Sequence, residues 1–115
     1  MQYLLMIHND EKAFQTASQE DGAAMFAAYN AYTKAMTDAG VWVGGARLHP
    51  SSTATVVRTK SGKTSVLNGP YAEIKEQLAG YYLLEAPDID AAISWAARCP
   101  GAATGAIEVR PIWPM

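Results

Sequence analysis

Tyr3-Leu4-Leu5-Met6-Ile7-His8 and Tyr81-Tyr82-Leu83-Leu84-Glu85 are the two stretches on which the fold turns. Side chains alternate faces along a strand. Tyr3, Leu5 and Ile7 therefore share one side of the first run, and Leu4 and Met6 share the other. In the second run Tyr81 and Leu83 oppose Tyr82 and Leu84. Both faces of both strands are apolar, so a sheet built on them needs cover above and below.

Asn9-Asp10 stops the first strand with turn formers, and residues 11–20 read as a polar, irregular connection. From about 21 to 39, Met25, Tyr29, Tyr32 and Met36 recur at spacings of 4, 3 and 4 among alanines, which predicts a helix. Ser18 or Asp21 can cap its start, and Gly40 suits a left-handed stop. Val41-Trp42-Val43 begins a strand that continues to Leu48, and Gly44-Gly45 within it predicts a bulge or a close backbone approach. Residues 53–59 and 63–67 form a hairpin about Lys60-Ser61-Gly62. Asn68-Gly69-Pro70 breaks it, and 71–79 reads as a polar connection with one helical turn around Glu73 to Gln77. After the 81–85 strand, Asp88 caps a helix running to about Arg98, with Ile89, Ile93 and Ala96 along one side. Ala106 to Ile112 is the closing strand.

The order is β-α-β, a β-hairpin insert, then β-α-β. It predicts an α+β fold: a ferredoxin-like split βαβ with an antiparallel sheet and two helices on one face. No linker or repeat interrupts residues 1–115, so one domain is expected. Two helices shield only one sheet face. The large side chains on the other are worth about 1.5–3 kcal/mol each if buried, and a patch of that kind on a small chain points to a partner. Closed homodimers are the commonest assemblies, so face-to-face self-pairing is expected, with the hairpin folding over the face as the alternative.

Composition narrows the function. Of the 115 residues half are apolar and 17% charged, below the usual quarter or so, which agrees with a covered patch. The nine basic residues are scattered, which argues against direct nucleic-acid binding. Cys99 is the only cysteine, so neither an internal disulfide nor a cysteine-pair zinc site can form. The leading apolar run is too short for a signal-peptide core or a membrane span, so a cytoplasmic protein with no membrane contact is expected. Close histidine spacings are missing, as are glycine-rich phosphate loops, so no metal and no cofactor is expected.

Residues 68–85 read Asn-Gly-Pro-Tyr-Ala-Glu-Ile-Lys-Glu-Gln-Leu-Ala-Gly-Tyr-Tyr-Leu-Leu-Glu. This closely resembles the D-G-P-F-A-E-x-K-E-Q-L-G-G signature of the bacterial YCII-related family, D-G-P-F subgroup. Upstream, Leu48-His49-Pro50-Ser51-Ser52-Thr53-Ala54-Thr55-Val56-Val57-Arg58 is similar to the family's L-x-P-S-S-T-A-T-T-V-R segment. Trp95-Ala96-Ala97-Arg98-Cys99-Pro100 and Ile107-Glu108-Val109-Arg110-Pro111-Ile112 are similar to its C-terminal motifs. The resemblance covers essentially the whole chain and implies a dimeric α+β barrel of ferredoxin-like subunits. Most members have no assigned reaction. Distant relatives in the wider superfamily are lyases or isomerases acting on ring compounds, and members of this subgroup also occur beside or fused to extracytoplasmic-function sigma factors. The family aspartate is Asn68 here and its phenylalanine is Tyr71. Asparagine exchanges no proton, so Asn68 suits a role in ordering the turn through side-chain hydrogen bonds.

Among candidate chemical groups, His8 shares a face with Leu4 and Met6 and can act either as a proton carrier or as a strand-end histidine. His49 reads as an exposed turn residue. Glu73, Lys75 and Glu76 follow a Gly-Pro turn; they line a cleft mouth, with Arg58 as an anion contact, or form a solvated charged run. The reading that combines these features is a homodimeric small-molecule-binding domain with its pocket between the helix-free sheet face and the 68–77 connection. Any reaction there is cofactor-independent proton transfer of lyase or isomerase type, with His8 or Glu73 carrying the proton and Asn68, Tyr71, Lys75, Glu76 and Arg58 contacting the ligand. The alternative is a non-enzymatic regulatory module that contacts a sigma factor.

Overall fold

A computed structural model describes residues 1–115. The elements are β1 (Gln2–Asp10), α1 (Glu11–Gln15), α2 (Gln19–Asp38), β2 (Trp42–Arg47), β3 (Thr55–Lys60), β4 (Lys63–Asn68), β5 (Glu76–Glu85), α3 (Ile89–Arg98) and β6 (Ala106–Pro111). Short 3-10 turns occupy Ser51–Thr53 and Pro100–Ala103. Four strands make one sheet in the order β2-β5-β1-β6, and β3 and β4 form a separate hairpin. Every pairing is antiparallel. With the hairpin set aside, this is the ferredoxin-like arrangement, the first and third core strands lying at the centre.

Local chemistry sets the element ends. Ser18 accepts from the Asp21 N–H at 3.0 Å and starts α2. At the far end Val41 N–H reaches Met36 O and Gly40 N–H reaches Thr37 O, both at 3.1 Å. Gly40 adopts φ +74°, which completes a Schellman stop. Asp88 accepts from the Ala91 N–H at 2.8 Å and starts α3. Two bulges interrupt the sheet, one between Trp42 and Gly44 and one between Ile7 and His8.

One face of the sheet carries the core. Tyr3, Leu5 and Ile7 of β1 and Tyr82 and Leu84 of β5 pack with Tyr32 and Met36 of α2 and Ala92 and Ala96 of α3. Leu5, Met36 and Leu84 are completely buried. Tyr82 makes edge-on contacts with Tyr32 at 5.4 Å and with Trp42 at 5.6 Å between ring centroids. Such pairs add about 0.5–1.5 kcal/mol beyond their burial.

Three expectations need correction. Residues 11–15 form a short helix, because Asp10 accepts from the Lys12 N–H at 3.0 Å and opens a turn directly off β1. There is no helical turn at 73–77: Glu76, Gln77 and Leu78 already belong to β5, opposite Asp10, Asn9 and His8. On α3 the buried side is Ala92 and Ala96, whereas Ile89 and Ile93 are 42% and 51% exposed. Alanines let α3 sit close to the sheet, so its bulky residues turn outward.

The second sheet face has no helix. By register it carries Leu4, Met6, His8, Leu78, Tyr81 and Leu83, flanked by Glu108 and Arg110. The hairpin does not fold over it in the sense of a lid: every residue of β4 is exposed. The molecule is 18 Å through its thinnest direction, one sheet and one helical layer. Its radius of gyration, 16.0 Å, exceeds the about 13 Å of a compact chain this long, because the hairpin projects. No helix is long and apolar enough to cross a membrane.

Leu84→Ala is expected to lower unfolding free energy by about 2–5 kcal/mol in urea titration. Val66→Ala, in the exposed hairpin, should stay within about 0.5 kcal/mol. Equal costs at the two positions would contradict this assignment of the core.

Candidate functional site

A cavity of about 570 Å³ lies between α2 and the sheet. It is the continuation of the core. The stripe Met25, Tyr29, Tyr32, Met36 runs the length of α2, but only Tyr32 and Met36 are buried. Met25 and Tyr29, two turns earlier, line the cavity instead. The space beneath them exists because the facing strand positions have no side chains. A Cβ on Gly45 would stand 2.8 Å from both Tyr81 O and Tyr82 Cδ1, and one on Gly80 would stand 2.8 Å from Ala46 O. Glycine is required at both positions for the strands to approach. The floor is therefore bare backbone, flanked by the rings of Trp42 and Tyr82.

Both phenylalanines of the chain, Phe14 and Phe26, stand at the mouth. Polar groups are few. Tyr82 Oη is 3.3 Å from Thr33 Oγ1, and the Tyr29 hydroxyl lies beside Cys99 and Gly101. Just behind the wall, Tyr32 donates to Trp95 O at 2.7 Å. Burial, reinforced by the neighbouring Cys99, raises all three phenols, those of Tyr29 and Tyr32 well above the usual range. They act as neutral hydrogen-bonding hydroxyls. Burial likewise raises the Cys99 thiol, which favours its unreactive protonated form.

The mouth is held by α1 and the loop after β2. Glu11 accepts from the Ser51 N–H and from the Ser51 hydroxyl, each at 2.6 Å, which staples that loop to α1. Arg47 and His49 stand on the same rim, and the Arg47 guanidinium lies over the Phe14 ring, 5.2 Å from its centroid. No three His, Cys, Asp or Glu side chains are close enough to hold a metal ion.

None of the seven residues singled out from the sequence lines this cavity. His8, Lys75 and Glu76 come together with Ile74, Ala106 and Glu108 around a shallow depression on the opposite, helix-free face. His8 Nε2 is 3.3 Å from Glu108 Oε1, within ion-pair range. The alignment does not make a hydrogen bond, however, and this nitrogen, shielded from solvent, has no other partner. The two groups are near neighbours without a formed hydrogen bond. Arg58 and Tyr71 pair with each other, the guanidinium 5.5 Å from a ring that is 82% exposed. Glu73 is exposed and borders neither hollow. Asn68 ends β4 opposite Thr55. The turn after it is ordered by the backbone, Gly69 N–H to Ala54 O at 2.7 Å with φ +115° at Gly69, and not by the Asn68 side chain.

The whole chain, residues 1–115, matches the YCII-related domain. The chain belongs to the YCII-related family. An uncharacterised protein of Rhizobium meliloti (strain 1021) is 35% identical to this YCII-related chain over 114 residues, covering 97% of this chain and 92% of that one. Among solved structures, 5-chloro-2-hydroxyhydroquinone dehydrochlorinase (TftG) of Burkholderia phenoliruptrix AC1100, in complex with 2,5-dihydroxybenzoquinone, superposes with a TM-score of 0.57. That match covers 98% of this chain and 94% of the other at 15% identity, a likeness of fold.

The residues that sequence reasoning missed are Tyr29, Arg47 and the glycine pair 45 and 80. Tyr29 looked like core because its spacing is that of core. Gly44-Gly45 was legible as a close approach, but which strand it approached was not.

The raised phenol and thiol groups fix the sign of a pH effect. Their neutral forms are favoured on folding, so the unfolded chain loses these protons first. Stability is complete below the ordinary thiol range and falls as pH rises through about 9 and then about 10. Urea midpoints measured from pH 7 to 11 should decline only above about 9. Tyr32→Phe should shorten that alkaline decline, and a midpoint flat to pH 11 would refute the account.

Proposed function

We propose that this YCII-related protein binds a small planar ring compound in the cavity under α2, and does so as a homodimer joined through the helix-free sheet face. The supporting observation is an aromatic-walled cavity of about 570 Å³ over a backbone floor, a size and lining suited to one small ligand. Trp42, Tyr82 and Tyr29 offer ring faces and edges, and the hydroxyls of Tyr29 and Tyr82 offer hydrogen bonds to ring oxygens. That a structure of the same fold was solved with 2,5-dihydroxybenzoquinone supports a ring compound as the class to try first.

The reaction class that suits this lining is proton transfer without a cofactor. His49 is the rim side chain of the type that exchanges protons near neutral pH. Glu11 is already engaged by Ser51. His8, with Lys75 and Glu76, belongs to the opposite face, where a second copy would cover it, and Glu73 stands apart from both. The dimer is favoured by Leu4, Met6 and Leu83, which are only half-buried, and by Leu78 and Tyr81, which are 38% and 37% exposed on one surface. Neither the relatives nor the geometry lends support to a sigma-factor partner.

Ring binding is tested with 2,5-dihydroxybenzoquinone followed by Trp fluorescence. Gly22 lies on the cavity wall and a Cβ there would meet nothing within 4 Å, so Gly22→Leu adds bulk from an open position. It should leave Tm unlowered and weaken binding at least about tenfold, since the added side chain intrudes on space the ring would occupy; unchanged affinity would remove the cavity from consideration. His49→Gln should keep affinity while abolishing turnover of any ring substrate found, and retained turnover would exclude that role.

Light scattering should give twice the chain mass of 12.3 kDa, and Leu83→Glu should yield the single chain. A monomer from the unmodified protein at micromolar concentration would end the dimer proposal.

A further inference from the structure

Two residues with a fixed charge line the cavity, Glu11 and Arg47. Both oxygens of Glu11 are occupied by Ser51. Arg47 is different. The ion pairs of the chain involve the N-terminus, His8, Lys34 and Arg110, and no carboxylate oxygen lies within 4.0 Å of the Arg47 guanidinium.

The other three arginines serve elsewhere. Arg58 lies over Tyr71, Arg98 lies over Trp95 at 4.3 Å, and Arg110 is 3.8 Å from Glu108. Arg47 alone stands at the cavity, and its placement there follows from strand geometry. It is two residues beyond Gly45, hence on the same sheet face, and it pairs with Gly80 on the cavity floor. The guanidinium sits over the Phe14 ring, 5.2 Å from its centroid, a contact with the ring that leaves its N–H groups available to a ligand.

We propose that Arg47 makes the cavity selective for ring compounds that carry an oxyanion, a carboxylate or an ionised ring hydroxyl, over their neutral counterparts. This rests on the ring-binding reading above and names the substrate class for that site. A carboxylate presents two oxygens to the guanidinium fork and an ionised ring hydroxyl presents one, and in either case the charge-assisted bonds are roughly twice as strong as neutral ones. Arg47 is itself exposed, so water and salt screen the pair, and about a tenfold preference is expected rather than a hundredfold one. The neutral hydroxyls of Tyr29 and Tyr82 are left to meet uncharged oxygens at the inner end of the ring.

Titration calorimetry of the full chain with matched probes tests this. 4-Hydroxybenzoate against 4-hydroxybenzamide examines the carboxylate, and 2,5-dihydroxybenzoquinone against hydroquinone examines the ring oxyanion. The anionic member of at least one pair should bind about tenfold tighter at low salt, and the margin should shrink as salt is raised. Arg47→Gln should bring that ratio close to one, and Arg47→Lys, a charge without the fork, should restore part of it. Tm measured for each variant separates these effects from misfolding. An equal ratio in the unmodified protein and Arg47→Gln overturns the inference. If the probes nevertheless bind and Gly22→Leu blocks them, the ring-binding reading survives that failure. If no probe binds at all, both fall together.

Discussion

Helix α2 is fastened to the sheet at one end only, and most of what is distinctive in this molecule follows from that. Its C-terminal half is pinned by Met36, by the Tyr32 hydroxyl on Trp95 O and by the edge-on contacts of Tyr32 and Tyr82. The Schellman stop at Gly40 turns the chain straight into β2. Its N-terminal half faces Gly45 and Gly80, which offer nothing to pack against. An amphipathic helix gains its stability from burying one stripe, so leaving Met25 over empty space and Tyr29 packed on one side only is costly unless something occupies the hollow. The cavity is the place where close packing has been given up.

The two faces of the sheet are unfilled for different reasons. Above, the helix is present but the floor is bare, which yields an open-mouthed aromatic hollow. Below, the side chains are present but no helix covers them, which yields a broad apolar surface. A hollow suits a small molecule and a broad surface suits another chain. His8 and its acidic neighbour Glu108 belong to the second kind of place, whereas His49 and Arg47 belong to the first. The histidine in the obvious strand is thus separated from the hollow by the sheet itself.

Much of the fold was legible in residues. Alternation in β1 and β5, the capping of α2 by Ser18 and of α3 by Asp88, and the left-handed stop at Gly40 are local matters, decided by side chains acting on their own backbone. The face buried by α3 was not legible, because Ala92 and Ala96 win over Ile89 and Ile93 only once the closeness of the sheet is known. The start of β5 at Glu76 was hidden for a similar reason: a polar run becomes a strand when Asp10, Asn9 and His8 lie beside it to pair. The site was hardly legible at all. The conspicuous charges after Gly69-Pro70 lie away from the hollow, Lys75 and Glu76 on the helix-free face and Glu73 apart from both.

By itself the sequence determined the order of the sheet strands and of the two long helices, the caps that start and stop those helices, and that the sheet is apolar on both sides. These depend on period, propensity and caps, which act over a few residues. Only the tertiary structure decided that Gly45 lies beside Tyr82 and Gly80 beside Arg47 across β2 and β5, that Tyr29 lines the same hollow, and that Arg47 stands without an ion-pair partner at the rim. A cavity is an absence shared among segments far apart in the chain, and no single stretch records it.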